Sequence, residues 1–199
     1  MTWAPDYVTS TELKDYIGIS DNADDAFVAL WVTTVSRNVD DFTGRQFGKV
    51  ASAEDRYYPT VWDRNEGAWF AEIDDLQDTT GLTFADENGT AVAVQTTTVD
   101  GYRLLPRNAA AKGKPYERVK LKGWSGGELT MHGLPGWTAV PSAVKVGIFL
   151  QGKRLAKRRD SPFGISGSPQ EQGEIRLLAQ LDPDFRTSLK PLIRNWWAA

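Results

Sequence analysis

Two groups of residues in this chain have types that could support catalysis or metal binding. His132 is the only histidine, so a Ser-His-Asp triad or an imidazole-ligated metal would have to use it. Asp74, Asp75 and Asp78 follow a predicted strand, where paired carboxylates could serve a hydrolase or hold a hard metal ion. A lone histidine and solvated loop acids explain both groups more simply. We therefore expect no catalytic residue, no metal site and no cofactor.

A glycine-rich segment, GWSGG at 123–127, follows another predicted strand. A phosphate-binding loop would need a Lys-Ser/Thr pair and a helix directly after it, and this segment has neither. We therefore interpret residues 123–127 as a β-turn.

Five cations form the strongest local charge feature of the sequence. Helical spacing places them on adjoining faces near the end of a predicted helix, where cations also complement the helix dipole. Three interpretations stay open: a solvated face, a contact with an acidic protein surface, or a contact with DNA phosphates. The five residues are Lys153, Arg154, Lys157, Arg158 and Arg159.

Composition limits the possible classes of protein. The chain has 199 residues, a formal net charge of -3, no cysteine and eight tryptophans. A mildly acidic chain disfavours a dedicated nucleic-acid binder, and the lack of cysteine excludes disulfide scaffolds and thiol nucleophiles. We expect no signal peptide, because the first residues lack a basic region followed by an apolar one. The longest apolar run, near 144–150, is too short to span a bilayer.

Helical patterns occupy both ends of the chain. Thr9 and Glu12 form a capping box, which predicts a helix over 10–17 that ends at Gly18. A second helix is predicted to end at Gly44, with one buried stripe formed by Phe27, Leu30, Trp31, Thr34, Val35, Asn38, Val39 and Phe42. Pro141 opens a third helix, and Asp182 with Pro183 caps a fourth.

The middle of the chain changes period. Six or seven short strands, separated by glycine, proline and Asn-Gly breakers, are predicted between about residues 48 and 137. We therefore predict an α+β fold: a small α-helical bundle core, made by the N- and C-terminal helices, with an inserted antiparallel β-sandwich or barrel-like subdomain. The helical core with a C-terminal docking segment would comprise 1–47 and 138–199, and the β subdomain 48–137.

Both ends of the sequence resemble a known family. The segments TELKDYIGI at 11–19 and FTGRQF at 42–47 are similar to the start of tailed-bacteriophage head-to-tail connector (adaptor) proteins. There, a short helix ends in a Leu/Ile-Gly turn and a second ends near aromatic-Thr-Gly-Arg-x-Phe. The segments LDPDFR at 181–186 and LKPLIR at 189–194 look like the closing part of the same family. That family more often has an aromatic-Arg pair where this chain has residues 192–194.

The resemblance implies a structural virion protein of the phage neck, with no enzymatic activity and no cofactor. Such a protein forms a homo-oligomeric ring of twelve copies that joins the portal protein to the next neck or tail-terminator protein. DNA passes through the lumen without sequence-specific binding, and no membrane is involved. The implied location is the head–tail interface of the virion, and the host cytoplasm during assembly.

Two surfaces follow from this expectation. The portal or an adjacent subunit would bind the five cations together with a C-terminal segment comprising Leu192, Ile193, Arg194, Trp196 and Trp197. Paired tryptophans expose a large apolar area unless something covers them, although they could also fold back on their own core. In a ring, Asp74, Asp75 and Asp78 could face the DNA channel and repel its phosphates.

Two other classes of protein compete with a neck component. The β segment could be a binding module, for example for carbohydrate, with Trp62, Trp69, Trp124 and Trp137 as stacking faces. The chain could also be a hydrolase that uses Asp74, Asp75 and His132. A nucleic-acid binder ranks below both.

Overall fold

The computed structural model describes residues 4–160, 165–166, 175–176 and 181–194. The chain divides into two compact units. We call the first the strand unit, built on residues 46–139, and the second the helical unit, built on residues 5–45 and 140–195.

The strand unit is a six-stranded antiparallel sheet. Its strands are β1 (Glu54–Asp63), β2 (Ala68–Leu76), β3 (Asp78–Ala85), β4 (Gly101–Leu105), β5 (Tyr116–Lys122) and β6 (Glu128–Leu134). Their spatial order is β3-β6-β1-β2-β5-β4, so β1 and β2, and likewise β4 and β5, are neighbours both in the sequence and in the sheet. The register pairs Asp55 with His132 across β1 and β6, and Trp62 with Trp69 across β1 and β2.

Residues 91–95 join the two outer strands, so that the sheet forms a nearly closed barrel. The Val92 amide donates to the carbonyl of Phe84 on β3, at 2.8 Å. On the other side, the Tyr102 amide of β4 donates to Ala93, and the Gln95 amide donates to Tyr102, both at 2.8 Å. This segment carries isolated bridges and is not a full strand.

The prediction of a helical bundle core is wrong, because strands dominate the core. Large side chains from all the central strands meet inside the barrel in one buried cluster: Tyr58, Ala71, Ile73, Leu76, Phe84, Val119, Leu121, Leu129 and Met131. The physical reason is side-chain volume. The buried face of the long second helix is lined mostly by valines, which supply less apolar area than the aromatic and long aliphatic side chains of the strands.

Among its described residues, the helical unit has four α-helices, and local capping chemistry explains where two of them begin. The Thr9 hydroxyl and the Glu12 carboxylate satisfy each other's backbone amides at the start of the first helix, as predicted. Asp182 caps the fourth helix, with Pro183 in its first turn, also as predicted. The elements are α1 (Ser10–Ile17), α2 (Asp25–Thr43), α3 (Ser142–Asp160) and α4 (Pro183–Leu189), with a short pair β7 (Ile165–Ser166) and β8 (Ile175–Arg176).

Two glycines on α3 let neighbouring side chains reach its backbone. A Cβ at Gly147 would lie 1.7 Å from the ring of Phe185, so the buried phenyl group of α4 occupies that position. A Cβ at Gly152 would lie 2.7 Å from a methyl group of Leu13, which is fully buried on α1. The two contacts set how closely α1 and α4 approach α3.

Candidate partner-binding surface

The five cations of α3 do not act as one patch. Arg154 forms an ion pair with Asp182, the cap of α4. Arg159 donates two hydrogen bonds to Asp24, at 2.5 and 2.9 Å, and so joins the end of α3 to the start of α2. These two arginines therefore stabilise the helical unit itself.

Arg159 also covers apolar surface. Its guanidinium lies 5.7 Å from the ring centre of Phe27 and 5.9 Å from that of Trp31, which allows cation–π attraction to both. The hydrogen bonds from Arg159 lower the pKa of Asp24, because they stabilise its ionised form.

The other three cations make no ion pair within the part of the chain that the structure describes. The Lys153 ammonium lies 5.6 Å from the ring centre of Tyr16, and Tyr16 stacks on Phe149 at 5.3 Å. Lys157 is exposed and Arg158 is half-buried. Lys153 and Lys157 are thus available to an external partner.

These lysines extend a row of outward-facing residues that we call the α3 stripe: Val146, Leu150, Lys153 and Lys157. The residues recur at three- and four-residue intervals and so lie on one side of the helix. Val146 is 55% exposed and Leu150 half-buried, so the stripe is apolar towards the start of the helix and cationic towards its end.

A second outward row runs along α2, and here part of the sequence prediction was wrong. Phe27 is 51% exposed and Leu30 59% exposed, although both were expected on the buried face. Thr34 and Asn38, also expected inside, are exposed as well. The buried face is formed by Val28, Val32, Val35, Ser36, Val39 and Thr43, of which Val35 and Val39 were expected there.

We call the exposed row Phe27, Leu30, Thr34, Asn38 and Asp41 the α2 stripe. It begins with two large apolar side chains and ends with an exposed carboxylate. Its charge is therefore opposite to that of the α3 stripe.

The C-terminal segment is held against α2 by backbone contacts. Arg45 Nε donates to the carbonyl oxygen of Leu192 at 2.5 Å, and the Arg194 amide donates to the carbonyl oxygen of Thr43 at 2.8 Å. Leu192 and Ile193 are half-buried, whereas Arg194 is buried. Arg194 is thus a packed residue of the helical unit. Trp196 and Trp197 lie outside the described residues.

The three acids assigned to a channel surface each have a partner within the strand unit. Asp74 accepts from Arg56 at 2.5 Å and from the Tyr58 hydroxyl at 2.8 Å. Asp75 is only 3% exposed and accepts from Trp137 Nε1 at 2.6 Å, so it presents no charge at the surface. This burial removes Asp75 from the expected channel-facing set.

Asp78, the third of these acids, makes an ion pair with Lys49 at 2.5 Å. The Lys49 ammonium, together with the backbone amide and the hydroxyl of Thr80, holds the pKa of Asp78 well below its usual range. A carboxylate with a lowered pKa stabilises the folded state above its unfolded pKa of about 4 and loses that contribution as the pH falls towards the folded pKa.

Asp78→Asn should therefore lower the melting temperature at pH 7, and the difference from the parent chain should shrink below about pH 4. Thermal unfolding followed by circular dichroism from pH 2 to 8 measures this difference. Glu87→Gln, at an exposed turn acid, is the control and should show little difference at any pH. A difference for Asp78→Asn that stays constant across this range would contradict the ion-pair explanation.

The three residues of the hydrolase alternative, Asp74, Asp75 and His132, do not bond to one another through their side chains. His132 Nδ1 lies 2.7 Å from Asp55 Oδ1, whereas Asp74 and Asp75 bond to the other partners given above. Residues 123–127 do fit the Gly-x-Ser-x-Gly spacing of hydrolase nucleophile elbows, which require a strand-to-helix turn. Here the segment connects β5 to β6, two strands that are not neighbours in the sheet, and no helix follows it, so it is not a nucleophile elbow. Among the described residues, no group of three or more His, Asp or Glu could hold a metal ion.

The four tryptophans proposed as stacking faces differ in exposure. Trp137 is buried beside Phe47, with ring centres 5.1 Å apart. Trp62 is 47% exposed and meets Trp69 edge-on, with ring centres 5.7 Å apart. Trp124 is half-buried and donates to the Thr60 hydroxyl at 3.1 Å. Only Trp62 presents a largely open ring.

Comparison with known proteins assigns this chain to no family. No protein-family model matches the sequence, and no curated protein matches it either. No helix among the described residues is both long and apolar enough to cross a membrane.

Proposed function

We propose that this protein is a ring-forming structural component of the phage neck, located between the portal vertex and the next neck or tail protein. The likeness of residues 11–19, 42–47 and 181–194 to the connector family first suggested this role. The observation that carries it furthest is the pair of unlike outward faces on the helical unit, the α2 and α3 stripes.

Unlike faces are what a head-to-tail ring needs. In a heterologous interface, one surface of a subunit binds a different surface of the next, and repetition closes a ring when the rotation fits. The α2 stripe offers Phe27 and Leu30 followed by Asp41, and the α3 stripe offers Val146 followed by Lys153 and Lys157. Apolar side chains on both stripes can bury each other, and the carboxylate of one stripe and the ammonium groups of the other attract, which favours contact between unlike faces over contact between like ones.

The absence of cysteine from the sequence allows a direct test. A chain carrying Leu30→Cys and Val146→Cys, assembled into virions and treated with a bismaleimide cross-linker, should give a ladder of oligomers that ends at the ring's copy number. Leu30→Cys alone should give at most dimers. Leu30→Cys with Ser52→Cys, an exposed residue of the strand unit, is the matched control.

Two outcomes distinguish an error in the proposed neck role from an error in the proposed contact between the α2 and α3 stripes. Virions that assemble without this polypeptide would contradict a neck role. Virions that contain it in multiple copies, but give no ladder, would contradict the pairing of the two stripes alone.

A binding-module role for the strand unit is the second candidate, and the exposed ring of Trp62 favours it. Trp62→Ala should then abolish retention on an immobilised polysaccharide, whereas Tyr57→Ala, at an exposed aromatic residue of the same strand, should not. Equal behaviour of both variants and the parent chain would remove this candidate.

A further inference from the structure

The barrel is closed along only part of its seam. Residues 91–95 bridge β3 and β4 beside Phe84 and Tyr102, and beyond Gln95 a cleft of about 420 Å³ lies between the outer strands. We call it the seam cleft; Thr79 and Leu82 line one side, and Tyr102, Arg103, Leu104 and Arg107 the other. Its volume falls within the range of about 300–1,000 Å³ that is usual for ligand sites.

Strand β4 presents an open backbone edge to this cleft. Both backbone groups of Tyr102 bond to residues 93 and 95, on the side of β4 away from β5. Because backbone groups alternate in direction along a strand, those of Leu104 point the same way, past the last residue of the bridging segment. An unpaired strand edge is a template for an added strand.

The side chains around this strand edge favour a negatively charged ligand. Arg103 and Arg107 line the cleft and form no ion pair with any residue that the structure describes, and the lining contains no acid. Gln95 Oε1 is buried there without a hydrogen-bond partner, so this oxygen can accept a hydrogen bond from an N–H group of a ligand. Leu82, Leu104 and Tyr102 provide apolar walls.

We propose that the seam cleft binds an extended acidic peptide segment of a partner protein, which adds to β4 as an extra strand. The peptide backbone would pair with Leu104, its N–H groups would reach Gln95, and its carboxylates would bind Arg103 and Arg107. This mode of binding takes affinity from main-chain hydrogen bonds and selectivity from alternate side chains. The proposal does not depend on ring formation.

A fluorescein-labelled peptide, Thr-Asp-Val-Asp-Thr-Asp-Val with blocked ends, is the probe, and fluorescence anisotropy with the full chain measures binding. We expect saturable binding that weakens at least about tenfold when alternate peptide amides are N-methylated, because hydrogen bonds are lost while charge is kept. Replacement of the aspartates by lysine should weaken binding by a similar factor. By NMR, hydrogen exchange of the Leu104 amide should slow only with the unmethylated acidic peptide.

Matched variants test the site on the protein. Arg103→Glu with Arg107→Glu should weaken binding of the acidic peptide at least about tenfold and improve binding of the lysine peptide. Arg64→Glu, at an exposed arginine of the β1–β2 turn, should change neither affinity by more than about twofold.

Three results would overturn the proposal. Equal affinity for the N-methylated peptide would indicate anion binding without strand addition. Equal losses for Arg64→Glu and the double variant would indicate non-specific electrostatics. Absence of saturable binding to the parent chain at millimolar peptide would exclude the site.

Discussion

Gly147→Ala is expected to lower the free energy of unfolding of the helical unit by about 3 kcal/mol, at the upper end of typical overpacking costs. The added methyl carbon would coincide with the ring of Phe185, which is buried and cannot turn away without displacing α4. Hydrogen exchange followed by mass spectrometry over a urea series would measure the loss, because it reports on each unit separately.

Gly152→Ala is the matched control on the same helix. Its nearest neighbours are the terminal methyl groups of Leu13, which can adjust, and alanine is a better helix former than glycine by about 1 kcal/mol. We expect a change below about 1 kcal/mol at this position. Phe185→Leu should recover part of the loss in the Gly147→Ala background, because it shortens the side chain that clashes. Equal effects at both glycines would contradict the close-contact explanation.

Asp75→Ala is expected to cost the strand unit about 2–3 kcal/mol, because it leaves the buried Trp137 indole N–H without its charged acceptor. A backbone hydrogen bond also links the end of β2 to residues 136–137, because the Gly136 amide donates to the carbonyl oxygen of Asp75 at 2.6 Å. Loss of the carboxylate should weaken the connection between the end of β2 and residues 136–137, because the bond from Trp137 is removed and only the backbone bond of this pair is kept. Chemical denaturation followed by far-ultraviolet circular dichroism would measure the cost.

A double-mutant cycle identifies the cause of that loss. If the unpaired indole N–H is responsible, Asp75→Ala should cost at least about 1 kcal/mol less in a Trp137→Phe background, which has no donor to satisfy. Purely additive effects would assign the loss to the cavity left by the side chain instead.

Local chemistry made parts of this fold predictable. The capping box at Thr9 and Glu12 and the Asp182-Pro183 start of α4 depend on residues within four positions of each other, so the sequence displays them directly.

The buried face of α2 was not predictable from its own sequence. Phe27 and Leu30 lie on one helical row and Val28 and Val32 on an adjacent one, and hydrophobicity alone favours the larger side chains. The structure buries the valines and exposes the larger pair. Which row faces inward depends on α1 and α3, which pack against α2 and lie elsewhere in the sequence.

The division of the basic residues was hidden for a related reason. Arg154 and Arg159 pair with acids 28 and 135 residues away, and helical spacing gives no sign of either partner. Lys153 and Lys157 share the same stretch and remain on the surface. The cationic stretch is therefore visible in the sequence as a whole, but the division between arginines that stabilise the fold and lysines that face outward is not.

The bridging segment at 91–95 also determines where the barrel should open first in thermal fluctuations. The other neighbouring strands pair through ladders of four or more residue pairs, whereas this junction depends on the few hydrogen bonds at Phe84 and Tyr102. Transient detachment of residues 91–95 would expose the backbone edges of β3 and β4 at the same time, while the other strands stay paired. Proteases and mispairing chains would therefore gain entry here before anywhere else in the barrel.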